Sequence, residues 1–286
     1  MDEISWPSLA RHWKDRFGET VRRISLDAGF DCPNQPEGGC LYCDPGSFSP
    51  SAGDARPVSV QLRVGIERLG ARGIKRFAAY FQPRTNTNAP LEKLKEVWDA
   101  AAAEPQVVVL CVGTRPDCLG NGVLDLLAGY GRRFGEIWLE LGLQSSHDRT
   151  LLYLNRRHDA ASFMDGVLRA KERGIKVCAH VILGLPGEDG EMELATADFL
   201  RRAGVEGVKL HQLAVIPGTR LLAEYNLGKV RMLTEDEYVA RAAFFVTRLE
   251  RSTVIHRLVG ETLGGAEIAP NFDKNRVLAS IRKRLL

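Results

Sequence analysis

The sequence predicts an α/β protein: an open, partial TIM-like barrel of six β-α units with a C-terminal α/β extension. Three observations carry this expectation. Apolar, β-branched runs alternate six times with helix-forming stretches before Gly228, and such alternation implies a parallel sheet joined by right-handed crossovers. No hairpin signal separates any two of the runs. The unusual polar segments all follow the strands, at the ends where parallel β-α folds place their chemistry.

A basic helix precedes "VRRISLD", a short strand that runs into a loop holding Cys32, Cys40 and Cys43. "VSVQLRVGIERLGARG" has helical spacing and a glycine stop, and "RFAAYFQ" is the second strand. "PLEKLKEVWDAAAA" opens on proline and continues in strong helix formers. "QVVVLCVG" is apolar throughout, as suits a strand buried on both faces. The order then repeats as helix "GVLDLLAGYGRR", strand "EIWLELGLQ", helix "ASFMDGVLRAKERG", strand "KVCAHVILGLPG", helix "EMELATADFLRRAG" and strand "GVKLHQLAVIPG". Beyond Gly228 come a helix with Thr234 and Glu237 at capping-box spacing, a strand "TVIHRLVG" and a last helix "NFDKNRVLASIRKRLL". Residues 1–228 thus read as the barrel with its leading helix, and 229–286 as an extension packed on it in one compact domain.

The chain has 286 residues, 44% hydrophobic and 26% charged, which suits one large folded domain and excludes disorder as the main state. The net charge of +3 favours no partner class by itself. Lys and Arg are gathered at the two ends, however, in "RHWKDRFGETVRR" and "KNRVLASIRKRLL". The plainer account of both is a solvated helix face; the sharper one is a pair of phosphate-contacting surfaces that frame the barrel mouth. No apolar run reaches the roughly 18 residues of a membrane span, and the N-terminus lacks the apolar core of a signal peptide. A cytoplasmic protein is expected, in which thiols stay reduced and cysteines serve as ligands, catalysts or small core residues.

Cys32, Cys40 and Cys43 stand in the spacing C-x7-C-x2-C. A structural zinc site wants four ligands, and no fourth Cys or His lies nearby. Zinc deaminases can use three Cys but need an H-x-E element, which is absent. A [4Fe–4S] cluster ordinarily takes four thiolates. With three, one iron is left open for an external ligand.

The loop ends Cys40-Leu41-Tyr42-Cys43 and follows the first strand of a six-unit barrel, and in this it resembles the radical S-adenosylmethionine (SAM) superfamily. The seven residues between the first two cysteines, where most members have three, are similar to the branch that includes the radical domain of the Elongator catalytic subunit. The runs "ISLDAGFDCPN", "YFQPRTNT", "VGTRPDC", "ELGLQSSHDRTL", "NRRHD", "KVCAHVILGLPGE" and "VIHRLVGE" resemble an Elongator-like bacterial subfamily over residues 24–261. "PNQPEGG" departs from the more usual Asn-Arg-Asp-Gly run. The resemblance implies a [4Fe–4S] cluster and SAM as cofactors. The open iron would bind the amino and carboxylate groups of SAM, and reductive cleavage would yield a 5′-deoxyadenosyl radical that abstracts hydrogen from substrate. It also implies a tRNA substrate, at a wobble uridine or its side chain, and an electron donor such as flavodoxin or ferredoxin, with no membrane partner. A small metabolite or peptide is the alternative substrate. A cluster protein without radical chemistry is the rival from another class, and cofactor cleavage separates it from both.

The same resemblance assigns Cys32, Cys40 and Cys43 to the metal. It places Tyr42 against the adenine, Gln82 near the methionine amino group, Arg156 rather than Arg157 near the sulfonium, and the backbone of Gly184 and Leu185 near the adenine. The residues themselves suggest more. Glu140 interrupts an apolar strand on the same face as Trp138, Gly142 and Gln144, and an inward carboxylate needs a partner, for which a ribose or ammonium group would serve. Thr114 and Arg115 end an apolar strand, where they would meet cofactor, an acidic substrate or a rim acid. Cys118, at a strand end, is a candidate hydrogen donor, whereas Cys111 and Cys178 read as core. His180, His211 and His256 lie on or beside strands, and His211, at the end of strand six, is the one placed to meet substrate. With Cys118, the residues His211, Arg115 and Arg257 complete the catalytic candidates.

Overall fold

A computed structural model describes residues 6–265 and 267–286. Seven parallel strands form one sheet in chain order: β1 (Val21–Leu26), β2 (Arg76–Phe81), β3 (Val107–Thr114), β4 (Glu136–Gln144), β5 (Lys176–Leu183), β6 (Gly207–Gln212) and β7 (Val254–Arg257). Helices lie between them: α1 (Leu9–Phe17) ahead of β1, then α2 (Val58–Gly70), α3 (Leu91–Ala102), α4 (Asn121–Gly129), α5 (Asp148–Tyr153), α6 (Ala160–Glu172), α7 (Gly190–Ala203), α8 (Arg220–Asn226) and α9 (Glu235–Arg248). A final helix, α10 (Lys274–Leu285), packs on α9.

The count of strands corrects the six-unit expectation. The strand expected in the extension, β7, pairs in parallel with β6 from Gly207↔Val254 to Lys209↔Arg257. The change of pattern at Gly228 is therefore not the end of the barrel. It is where α8 stops, at a glycine with φ 69°, before a sixth crossover through α9. That helix opens on the expected capping box of Thr234 and Glu237.

The strands are buried on both faces. Their outward side chains, such as Phe77, Leu110, Leu139 and Val177, meet Trp98, Leu124, Phe163 and Phe245 of the surrounding helices. Their inward side chains fill the barrel only in part. The lower interior is closed by α1, whose Leu9 and Trp13 recur four residues apart and pack with Val109, Trp138 and Val254. Ser8 caps this helix by accepting from the Arg11 amide, and Pro7 accepts from the Ile255 amide of β7 at 2.8 Å.

The position of α1 also corrects an expectation about charge. Trp13 Nε1 donates to Glu136 at 3.2 Å and Arg16 donates to the Gly135 carbonyl at 3.1 Å, both where β4 begins. The helix thus plugs the N-terminal ends of the strands, and Arg11, Lys14 and Arg16 lie at the end opposite the cysteine loop. Arg23, from the same basic run, turns inward.

Candidate active site

Thirty-one residues separate β1 from α2, too many for a plain connection. Asp27 anchors both ends of this loop, accepting from the Gly29 and Gly53 amides at 2.8 Å each. Gln61 of α2 pins the same segment through the backbone of Asp27, Asp54 and Arg56. Further along, the Leu41 amide donates to the Leu154 carbonyl at 3.0 Å and its carbonyl accepts from Leu221 at 2.9 Å. Asn155 donates to the Glu37 and Gly39 carbonyls. The loop is so held against the ends of β4 and β6.

Cys32, Cys40 and Cys43 share one wall of a cavity of about 370 Å³ at the C-terminal ends of the strands. The Cys40 sulfur accepts from Asn34 Nδ2 at 3.3 Å and from Arg156 Nη1 at 3.4 Å. Burial pushes this thiol up, but the Arg156 guanidinium and the two donors outweigh it and leave it below the ordinary cysteine value. These are the neighbours a thiolate ligand needs. Among the described residues no three His, Cys, Asp or Glu side chains converge on the point a single ion would occupy. All three thiols nonetheless line the one cavity. The residues present fit an anionic iron–sulfur group.

Arg156 owes its inward course to the backbone. Asn155 and Arg157 on either side have φ of 53° and 55°, a left-handed conformation uncommon outside glycine and asparagine. Between them the buried Arg156 donates to the Gly142 carbonyl at 2.8 Å, to Tyr42 Oη at 3.4 Å and to His158 at 3.0 Å. Arg157 is exposed and pairs with Glu37. Gln82 accepts from Ser25 at 3.1 Å and donates to the Phe48 carbonyl at 2.9 Å, so it both faces the cavity and caps the cysteine loop. Thr114 bonds Thr87 across the rim at 2.6 Å. Gln144 reaches the cavity through a register shift after Gly142, with φ 74°.

Below the cysteine loop the interior is polar. Glu140 accepts from Tyr80 at 2.6 Å, Lys209 at 2.9 Å and Arg23 at 3.3 Å. His180 Nε2 stands 2.8 Å from the same carboxylate and His256 Nδ1 3.5 Å. Burial alone would raise this acid, yet Lys209 and the imidazoles hold it well below the usual carboxylate range. Burial lowers Lys209 to about 8 and both His180 and His256 to about 4. Glu140 faces inward as expected, but its oxygens are taken by the chain itself, so the expected ribose or ammonium partner is not needed to satisfy it.

Gly184, Leu185 and Cys118 fall away from the cavity wall, whereas Arg115 lines it. The Gly184 amide donates to Glu193 at 2.7 Å, and a Cβ added there would stand 2.9 Å from Leu233, so its φ of 83° serves packing. Leu185 is buried in the satellite core with Leu41 and Leu213. Cys118 is half-buried beside Arg115, outside the cavity wall, and burial with Asp117 pushes its thiol up to about 12, so it keeps its S–H at neutral pH. Arg115 is clamped by Asp117 at 2.9 Å through two nitrogens and by the Arg156 carbonyl at 2.6 Å, though its buried Nη1 has no partner among the described residues. His211 and Arg257 do line the cavity. Sequence reasoning misses Tyr80, Lys209 and Arg23. The period-two rule could find them, because 80 faces with 82, 209 with 211, and 23 with 25.

Two family models, the radical SAM superfamily and the radical SAM C-terminal domain, match residues 31–200 and 205–286. An uncharacterized protein of Methanocaldococcus jannaschii is 40% identical over 256 residues, 86% of this chain and 77% of its own. A tRNA uridine(34) acetyltransferase of the same organism is 24% identical over 275 residues, 77% of this chain and 48% of its own. Among solved structures, the archaeal Methanocaldococcus infernus Elp3 with an N-terminal deletion superposes with a TM-score of 0.65 at 18% identity, over 92% of this chain and 63% of that one. With the matched domains covering the cysteine loop, the sheet and its cavity, the chain belongs to the radical SAM superfamily and is an enzyme whose cofactors are a [4Fe–4S] cluster and SAM.

Proposed function

We propose that this enzyme modifies a tRNA, at a wobble uridine or its side chain. The observation that carries the reading is the 24% identity to a tRNA uridine(34) acetyltransferase across 77% of this chain. The exposed Arg84 and Arg220 on the cavity rim supply charge for a nucleic acid. Cys32, Cys40 and Cys43 hold the cluster. Tyr42, Gln82, Thr114, Gln144 and Arg156 face SAM, and Arg156 also donates to the Cys40 thiolate. The cofactor pair, when bound, supplies one-electron cleavage of a sulfonium and hydrogen abstraction. The chain's own part is to orient the pair and keep water out with the laced loop. Electrons come from a flavodoxin or ferredoxin in the cytoplasm. A small acidic metabolite or peptide is the second reading, favoured by the placement of α1 away from the mouth.

The test is mass spectrometry of tRNA nucleosides from cells with and without the gene. At least one modified nucleoside should change in the deletion. Wild-type protein should restore it, and a variant with Cys32, Cys40 and Cys43 all replaced by Ala should not. That variant should also lose the roughly four irons of one cluster and all cleavage of SAM. An unchanged nucleoside profile refutes the tRNA substrate.

A further inference from the structure

The polar interior carries more positive charge than it neutralises. Arg23, Lys209 and Arg257 face Glu140, the acid at the centre of the group, and the imidazoles around them are uncharged near neutral pH. Glu261 sits at the rim and is paired with Lys274, while burial raises the Glu267 carboxyl, also on the wall, above its ordinary value. Glu140 spends its oxygens on Lys209, Tyr80, Arg23 and His180. Arg257 makes no hydrogen bond and no close ion pair among the described residues, and it feels Glu140 and Glu261 only at longer range. It is half-buried at the end of β7, and burial with the nearby Arg23 holds its guanidinium below the ordinary arginine value. A guanidinium has five donors and no acceptor, and a half-buried one with no hydrogen-bond partner in the chain keeps those donors for a ligand. His211 beside it also has no hydrogen-bond partner among the described residues. A side chain added at Gly260 would stand 3.1 Å from the His211 ring, so the loop after β7 passes close over it.

The position of Arg257 gives the surplus charge an address. The sheet is open between β1 and β7, its two edges. A second cavity, about 580 Å³, fills this gap beside α2, and it shares Phe48, Tyr80, Gln82, Arg257, Glu261 and Thr262 with the cavity under the cysteine loop. Arg257 thus stands where the two cavities meet. Arg156, by contrast, is held on the β4 side by the Gly142 carbonyl.

We infer that the substrate brings an anionic oxygen group, a carboxylate or a phosphate, which docks on Arg257 at the gap between β1 and β7 with His211 beside it. A guanidinium takes either group through paired N–H donors. The inference deepens the proposed function, since it names the chemistry by which a substrate of this enzyme is held, but it does not require that substrate to be RNA.

The test uses the full chain with its cluster and SAM bound. Inorganic phosphate and acetate are titrated separately by calorimetry into wild type, Arg257→Gln and Arg257→Lys. Wild type should bind at least one of the two. Arg257→Gln should weaken that binding at least tenfold, and Arg257→Lys should recover part of it. Binding of phosphate alone assigns the group to a phosphate, and binding of acetate alone to a carboxylate. Affinity for SAM should stay within twofold in both variants. In anion-free buffer Arg257→Gln should raise the melting temperature by about 2 °C or more, because one of three mutually repelling cations is gone. No anion binding by wild type, or binding unaltered in Arg257→Gln, overturns the inference. So does a parallel loss of SAM affinity, which would give the charge to the cofactor, or a lower melting temperature, which would make Arg257 a structural charge. If the deletion strain shows no altered tRNA nucleoside while Arg257-dependent anion binding persists, the tRNA reading falls and the anion site stands.

Discussion

Glu136 and Glu140 lie on the same inward face of β4, and the chain treats them differently. Glu136 belongs to the plugged floor. It meets His12 at 2.8 Å, Lys176 at 2.5 Å, Trp13 at 3.2 Å and Trp138 at 2.9 Å. Its charge is matched by Lys176, with Arg16 reaching in from the surface at 3.8 Å. Glu140 belongs to the layer above, where it is as fully bonded, yet three enclosed cations share it and Arg257 is left over. The floor is complete within the chain. The upper layer is not, and the imbalance opens into the cavity beneath the cysteine loop. Satisfied polar layers hold a barrel together; an unsatisfied one marks where a ligand is to come.

Three experiments bear on this contrast. The largest effect is expected from Glu140→Gln, which strands Arg23, Lys209 and Arg257 without an acid. It should cost about 3–5 kcal/mol in urea unfolding, and Lys209→Met added to it should recover part of the loss. Glu136→Gln should cost less, because it leaves mainly Lys176, which is near the surface. An equal or larger loss for Glu136→Gln would erase the distinction between the two layers.

The next effect is in acid. Burial opposes the Glu136 charge, but His12, Lys176 and Trp138 hold the carboxyl at about 2 against an ordinary 4.5. A folded value below the unfolded one means that the stability is present above about pH 4.5 and is lost as pH falls through that window towards 2. The loss attributable to this group should be about 3 kcal/mol. The difference between wild type and Glu136→Gln in unfolding experiments from pH 6 to pH 2 measures it directly, and a difference that does not shrink with acid removes the floor pairing as its source.

The smallest effect is at the other basic end. Arg282, Lys283 and Arg284 occupy the last turn of α10, while Lys274 at its start reaches Glu261 on the cavity rim. About 12 Å or more of helix lies between the two. Reversing the three distal charges should alter stability by no more than about 0.5 kcal/mol and leave the salt dependence of tRNA binding unchanged. A flatter slope, by roughly 0.7 to 0.9 for each phosphate no longer neutralised, would restore the C-terminal set to the RNA surface.

Periodicity determined much of this protein in advance. The β-α alternation required parallel strands, and those are what form, the first four close to their expected spans and the last three shorter than their apolar runs. C-x7-C-x2-C put three thiols at the end of the first strand, because chain-local spacing needs no knowledge of the fold. The inward direction of Glu140 followed from a period of two. Only the tertiary structure decided that "TVIHRLVG" is the seventh strand of the same sheet, since a strand of four residues carries too little pattern to distinguish a barrel strand from an appendage. It alone decided that α1 is a plug, because which end of a barrel a leading helix covers depends on packing of Trp13 against Trp138. It set Gly184 against Leu233 and gave Arg115 to Asp117. The partners of Glu140 come from β1, β2, β5, β6 and β7, and a cluster assembled from five strands has no local signature. The same is true of Arg257, whose lack of a partner is a property of the space around it.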